Sequence, residues 1–190
     1  MTTDLPVLPK IEPWSVDQLR AGLLSEHHDT RVHALAMSVQ RDAPVDQLVN
    51  ELAQCVGACR IDPIALQLAA VALGMVKRTS ERANAADVLA TLATVENALA
   101  VRIFAAHGFA QLGQIPATAW PHVSLMLFDQ DATLRQVALR ATTPVATQGA
   151  AVIASVVAGT PPDKWTTEAL AALALRAGPP ADGMQRVEQY

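Results

Sequence analysis

The sequence predicts an all-α fold, an α-solenoid of about five antiparallel helix pairs stacked in a row. Five times a polar or charged residue is followed three places later by alanine, at intervals of about 36, 35, 33 and 33 residues, a spacing typical of stacked helical repeats. Alanine- and leucine-rich stretches with little two-residue alternation also favour helix over strand. The pairs are Arg31/Ala34, Gln67/Ala70, Arg102/Ala105, Arg135/Ala138 and Glu168/Ala171.

Prolines and glycines divide the chain and set the helix ends. Pro144 is expected to disturb the end of the eighth helix. Ser15, Asp29 and Asp62 are expected N-caps, because their side chains can accept hydrogen bonds from a first helical turn, and Gly113 is expected to close a helix. The predicted segments are an extended N-terminal arm (1–13), a repeat domain (14–178) and a C-terminal tail (179–190). The predicted helices are 16–24, 30–41, 45–59, 63–77, 79–93, 96–112, 117–128, 132–145, 148–158 and 162–177.

The charge balance argues against several classes of partner. The formal net charge is -4 and the sequence pI about 5.7, and acidic and basic residues are interspersed, so no basic surface for nucleic acid is expected. No run of about 20 apolar residues predicts a membrane span. The first residues lack the basic and then apolar pattern of a secretory signal, and with two cysteines we expect a reducing, cytoplasmic location.

Short motifs at three of the alanines resemble the HEAT-repeat family, in the armadillo-like group that includes the bilin-lyase-like short repeats. In that group the second helix of a repeat follows an acidic turn and opens with a Val-Arg-like pair and small residues. Gln67 and Glu168 depart from this pattern. The matching stretches are HDTRVHA (28–34), VRIFAA (101–106) and DQDATLRQVA (129–138). The resemblance covers roughly residues 15 to 178 and implies a scaffold, adaptor or assembly factor, with a few enzymes in the group.

The recurrent arginines and alanines have a structural interpretation. An arginine at the start of the second helix can reach an acidic group in the turn of its own or the next repeat, which would fix the stacking. The alanine lies near the same helix face, where neighbouring helices approach closely. We therefore expect the alanines to be buried and the arginines to hold the repeats together.

Candidate catalytic and metal-binding groups are sparse. Cys55 and Cys59 share one helix face, and a zinc site would need further ligands from His27, His28 or His33; buried free cysteines that only pack are the favoured alternative. HEAT-like iron hydroxylases use His-Glu dipeptides, and the chain has none. It also lacks a Gly-rich phosphate loop and a Gly-x-Ser-x-Gly elbow. We expect no enzyme, cofactor or metal.

We expect the inner face of the predicted solenoid to be formed by the residues one, two and five places after the polar residue that opens each polar-x-x-alanine pair. The residues at these positions are Val32, His33, Ala36, Leu68, Ala69, Ala72, Ile103, Phe104, His107, Gln136, Val137, Arg140, Ala169, Leu170 and Leu173. Many are apolar, where a solvated face would carry Lys and Glu. Either this groove binds a protein or peptide, or it is core because the superhelix is tightly wound or the arm fills it. The predicted binding residues are Ile103, Phe104, His107, Gln136, Arg140 and His33.

The predicted function is non-catalytic recognition of a protein partner through the inner face or the C-terminal end. Residues 169–175 are almost wholly apolar, so either the tail covers them or they meet another protein or a second copy of the chain. The alternative function is a bilin-lyase-like or other cofactor-handling protein with a small-molecule site in the groove. The third is nucleic-acid binding, since the fold also resembles HEAT-like DNA-repair glycosylases, but those are basic.

Overall fold

The all-α character predicted from the sequence is confirmed. A computed structural model describes residues 14–40 and 42–145, and within these ranges the chain forms eight α-helices, two short 3₁₀ segments and no strand. The predicted arm, fifth helix pair and tail lie outside the described residues. In the same ranges no helix is long and apolar enough to cross a membrane. The helices are α1 (Val16–Leu23), α2 (His28–Ser38), α3 (Val49–Ala58), α4 (Pro63–Gly74), α5 (Thr79–Leu92), α6 (Leu99–Leu112), α7 (Trp120–Met126) and α8 (Ala132–Thr142), and the 3₁₀ segments are Val45–Gln47 and Thr143–Val145.

Several helix ends follow the predicted local signals. The Ser15 hydroxyl accepts from the Gln18 backbone N–H while the Gln18 side chain accepts from the Ser15 N–H, a complete capping box. Asp62 Oδ1 accepts from the backbone N–H groups of Ile64 and Ala65. Gly113 ends α6 with a left-handed φ of 68°, a conformation that glycine adopts without steric cost.

Two other helix starts differ from prediction, one of them because a side chain is engaged by the preceding helix. α2 begins before Asp29, with His27 as a cap residue that makes no side-chain cap bond. α6 begins at Leu99 and not at residue 96, because the Asn97 amide donates to the carbonyls of Thr91 and Leu92 and so closes α5.

The second and fourth helix pairs also depart from their predicted boundaries. α4 ends at Gly74, three residues early, and Asp46 Oδ1 accepts from the N–H groups of Lys77 and Arg78 at 2.6 and 2.8 Å. The predicted helix 45–59 splits at Leu48 into a 3₁₀ segment and α3, and the predicted helix 117–128 shortens to α7. The expected disturbance at Pro144 is confirmed, since α8 passes into a 3₁₀ segment there.

The helices pack as antiparallel pairs placed side by side. The packed pairs are α1 with α2, α3 with α4, α5 with α6 and α7 with α8. Across pairs, α1 contacts α3 and α3 contacts α5, which we term layer A (α1, α3, α5). In the second layer α2 contacts α4, α4 contacts α6 and α6 contacts α8, which we term layer B (α2, α4, α6, α8). One apolar core, mostly Leu, Ala and Val, fills the space between the layers.

The recurrent alanines lie where the helices approach most closely. Ala34, Ala70, Ala105 and Ala138 are each fully buried, as the sequence predicted. Ala171 lies outside the described residues. The small side chains let neighbouring helices come together at short distance, so the sequence period reflects the packing of successive pairs.

Candidate functional site

The six residues predicted to bind a partner all lie on helices of layer B and are at least partly exposed, although Ile103 and Phe104 also pack against the core. Ile103, Phe104 and His107 are half-buried on α6, and Gln136 and Arg140 are exposed on α8. Because α6 and α8 are in contact, these five share one surface. The sixth, His33, is exposed on α2, with α4 between it and α6.

His33 has a separate neighbour. Its ring stacks on that of Trp14, with centroids 5.0 Å apart and planes tilted by 60°. Trp14 also lies against Gly22 of α1. His33 therefore belongs to the N-terminal end of the helix stack rather than to the group on α6 and α8.

Some residues of layer B that were predicted to form the inner face are buried in the core instead. Ala69 and Ala72 of α4, and Val137 of α8, are buried in the core. α4 packs against α2, α3, α5 and α6, and this tertiary packing buries more of its surface than the pattern of a single helix predicts. The outward residues of α4 are Ile64, Gln67, Leu68, Val71 and Met75 at its C-cap.

The outward side of α4 and α6 is apolar and uncharged. Leu68, Val71 and Met75 are half-buried on α4, beside Ile103 and Phe104 on α6. Pro63–Gly74 contains no charged residue, whereas a solvated helix face usually carries several. We call these five residues the apolar stripe.

The recurrent arginines hold turns together. Arg31 Nη1 donates to the carbonyls of Ser25 and Glu26, at 2.7 and 2.9 Å. Arg135 repeats this geometry with the carbonyls of residues 129 and 130, at 2.6 and 2.8 Å. The expected contact with an acidic group of the next repeat occurs at Arg102, whose Nη1 lies 3.0 Å from Asp129 Oδ2.

The Arg102–Asp129 ion pair stabilises the ionised form of its acid. Burial acts to raise the pKa of Asp129, but the hydrogen bond from the Asp131 N–H and the guanidinium of Arg102 outweigh it, so this pKa lies below its ordinary value. The pair joins the start of α6 to the turn before α8 and so ties two helix pairs together. Its role is structural.

The two cysteines are packed in the core. Cys55 and Cys59 are both buried, with their Sγ atoms 4.0 Å apart. Burial raises the pKa of the Cys55 thiol to about 12, and the neighbouring Cys59 adds to the effect. Among residues 14–40 and 42–145 no three His, Cys, Asp or Glu side chains are grouped so as to hold a metal ion. Buried, neutral thiols behave as small apolar side chains.

The sequence interpretation missed a surface formed by the turns inside the helix pairs. Two contacts and one shared pocket link successive turns. His28 Nε2 lies 3.0 Å from Asp62 Oδ2, Arg102 reaches Asp129, and one pocket is lined by both Arg60 and Glu96. The turns therefore follow one edge of the molecule. We call this surface, made of residues 24–27, 59–62, 93–98 and 127–131 with the adjoining helix ends, the turn edge.

Large apolar side chains are exposed along the turn edge. Within the described part of the chain all six exposed large hydrophobic residues lie in these turns or in the helical turn next to them, and Ile61 is 98% exposed. The six are Leu24, Ile61, Ile64, Val95, Leu99 and Leu125. Leu24, Ile61 and Val95 repeat at intervals of about 37 and 34 residues, which is close to the repeat period and is the signal by which the sequence could have revealed them.

A pocket of about 640 Å³ opens at the turn edge between the second and third helix pairs. Val56, Leu66 and Leu92 give it an apolar wall, and Asp87 and Glu96 lie among its polar residues. A Cβ atom added at Gly57 would meet nothing within 4 Å. The pocket offers contact surface and charge, and nothing in its lining forms a nucleophile–base pair.

Comparisons of the chain with protein-family models, with curated proteins and with solved structures give no match. Its class therefore rests on its own geometry, which is that of an all-α protein.

Proposed function

We propose that this chain is a non-catalytic protein-interaction module, an α-solenoid of HEAT-like repeats that binds a protein partner on the outward side of layer B. The solenoid is supported by the side-by-side helix pairs, by the buried alanine at the same place in each of four pairs, and by the matching contacts of Arg31 and Arg135. Repeats of this kind present long surfaces suited to binding other proteins.

The single observation that carries the proposal is the apolar stripe. Leu68, Val71 and Met75 lie on α4, and Ile103 and Phe104 lie on the neighbouring α6. All five are partly exposed, and all except Val71 also pack against the core. Contiguous apolar surface of this kind marks interaction sites. Gln136 and Arg140 on the neighbouring α8 supply the polar rim that such sites usually have, and aromatic and arginine side chains are frequent energetic hot spots.

Affinity capture tests the proposal. Phe104→Ala shortens an aromatic side chain of the stripe, and Arg140→Glu reverses an exposed charge of the rim. The control Asp17→Lys reverses an exposed charge on α1, in layer A. We expect the wild type and Asp17→Lys to capture the same partner from native lysate, identified by mass spectrometry.

The two layer B variants are expected to lose that partner while keeping their helical circular dichroism and melting temperature. Equal capture by Phe104→Ala, Arg140→Glu and the wild type would refute the proposed surface.

A further inference from the structure

The exposed apolar residues of the turn edge form an ordered set. Single exposed apolar side chains are ordinary on protein surfaces. Here every large exposed one among the described residues lies on one edge, and the four turns contribute in succession. Because neighbouring helices pack about 9 Å apart, four turns span about 30 Å. A surface of this length fits a segment of polypeptide better than a small molecule.

The pocket gives this edge a place for an apolar side chain. It lies between α3 and α5, and its volume of about 640 Å³ is within the range of known ligand sites. Val56, Leu66 and Leu92 line its wall. Ile61 and Val95 stand in the two turns that flank it. A segment bound along the edge can therefore place one apolar residue in the pocket and others against the flanking turns.

The exposed charges of the edge are mostly negative. Glu26, Asp29, Asp87 and Glu96 are exposed, against the single exposed cation Arg60. None of the five has an ion-pair partner within 4.0 Å among the described residues. A hydrogen bond from Thr94 holds the pKa of Glu96 below its ordinary value, so its carboxylate stays charged.

The other charged groups at this edge are already engaged. Asp62 faces His28, and Asp129 faces Arg102. The guanidiniums of Arg31 and Arg135 donate to turn carbonyls. The exposed charged side chains that remain available to a binding partner are therefore mostly acidic.

We infer that the turn edge binds a basic, apolar segment of a partner protein, with one apolar side chain in the pocket between α3 and α5 and a neighbouring Lys or Arg at Asp87 and Glu96. Apolar contact supplies the affinity, and opposite charge selects the partner and orients it. This surface adjoins the apolar stripe of layer B, since Ile64 and Leu99 lie one helical turn before Leu68 and Ile103. The variants Gly57→Phe and Phe104→Ala therefore serve to distinguish the two sites.

Selection from a random twelve-residue peptide display library against the immobilised full chain tests the inference. We expect enriched peptides to carry Arg or Lys beside Leu, Ile or Phe. The affinity of one enriched peptide, labelled with a fluorophore, is then measured by anisotropy against three variants. Gly57→Phe fills the pocket, the double variant Asp87→Lys with Glu96→Lys reverses the charge, and Gly57→Ala is the control because its methyl group points into open space.

We expect Gly57→Phe and the double charge variant each to weaken binding about tenfold or more, and Gly57→Ala and Phe104→Ala to leave it unchanged. If Gly57→Phe lowers the melting temperature, Ile61→Asp replaces it, since that side chain is 98% exposed. Failure to enrich any peptide, enrichment of acidic peptides, or equal binding by the pocket variants would overturn the inference. So would self-association of the chain in sedimentation that Ile61→Asp abolishes, because the edge would then join two copies.

Discussion

The close approach of α4 and α6 at Gly74 gives the sharpest test of the packing. A Cβ atom at residue 74 would lie 2.9 Å from the Gly108 Cα and 2.5 Å from the Gln111 Oε1. The exposed Gln111 side chain can move aside, but the Gly108 Cα can move only with its helix. Gly74→Ala must therefore separate two helices that carry the apolar stripe.

The magnitude follows from two opposing terms. Overpacking of a close contact costs about 1–3 kcal/mol, and replacing glycine by alanine in a helix returns at most about 1 kcal/mol. We expect Gly74→Ala to lower the free energy of unfolding by about 1–2 kcal/mol. In a protein of this size that corresponds to a fall of roughly 2–8 °C in melting temperature.

Gly57 is the matched control. It also lies in the last turn of its helix, α3, but a Cβ atom there meets nothing within 4 Å. Gly57→Ala should therefore raise the free energy of unfolding by about 0.5–1 kcal/mol. Urea unfolding followed by circular dichroism measures both variants. If Gly74→Ala is as stable as Gly57→Ala, the described contact between α4 and α6 is wrong.

Two further predictions concern the cysteines and the ion pair. Because the pKa of Cys55 is about 12, alkylation of Cys55 in the folded protein at pH 8 should be at least about 100-fold slower than that of a free thiol, and denaturant should restore the rate; rapid labelling of the folded protein would contradict its burial. Arg102→Ala should lower the free energy of unfolding by about 1–2 kcal/mol at pH 7, since it leaves Asp129 without its cation. The depressed pKa of Asp129 stabilises the fold above the ordinary carboxyl pKa, and this contribution is lost as the pH falls through the folded-state value. Asp129→Asn should therefore differ most from the wild type above about pH 5 and begin to converge with it only as the pH falls below about 4; a difference independent of pH would contradict this.

The sequence predicted best what depends on nearby residues. The caps at Ser15 and Asp62 and the glycine end of α6 are local hydrogen-bonding arrangements, and these signals act over three or four residues. The period that places Ala34 and Ala70 can also be recognised in the sequence, because an alanine recurs at the same packed position in successive helix pairs. The helix pairing follows from short connections between periodic segments.

Tertiary competition explains the boundaries that the sequence did not predict. Asn97 could have continued α6 toward its N-terminus, but its amide closes α5 instead. Asp46 binds the backbone after α4, 31 residues away. The burial of Ala69 and Ala72 on α4 depends on four neighbouring helices and has no counterpart in a single-helix pattern.

The apolar stripe and the turn edge also differ in how well the sequence could predict them. Helical periodicity placed Ile103, Phe104 and Arg140 on the outward side of layer B, because a helix face is defined by residues close in sequence. The turn edge combines residues such as Ile61 and Val95, whose neighbourhood depends on stacking. A single turn is expected to be exposed to solvent, so one apolar residue in it does not indicate a binding site. A site is indicated only when neighbouring turns place several such residues on one edge.

Side-chain hydrogen bonds fix much of the backbone of the turn edge. Arg31 holds the carbonyls of the first turn, and Asn97 those at the end of α5. Both Arg102 and Arg135 hold the last turn: Arg102 donates to the Asp129 carboxylate, and Arg135 donates to the Asp129 backbone carbonyl. A surface whose backbone is already held loses little conformational freedom when a partner binds, and less of the contact energy is then spent on ordering. Recognition at this edge is therefore supported by turns that side-chain hydrogen bonds already hold, whereas the apolar stripe of layer B depends on helix packing alone.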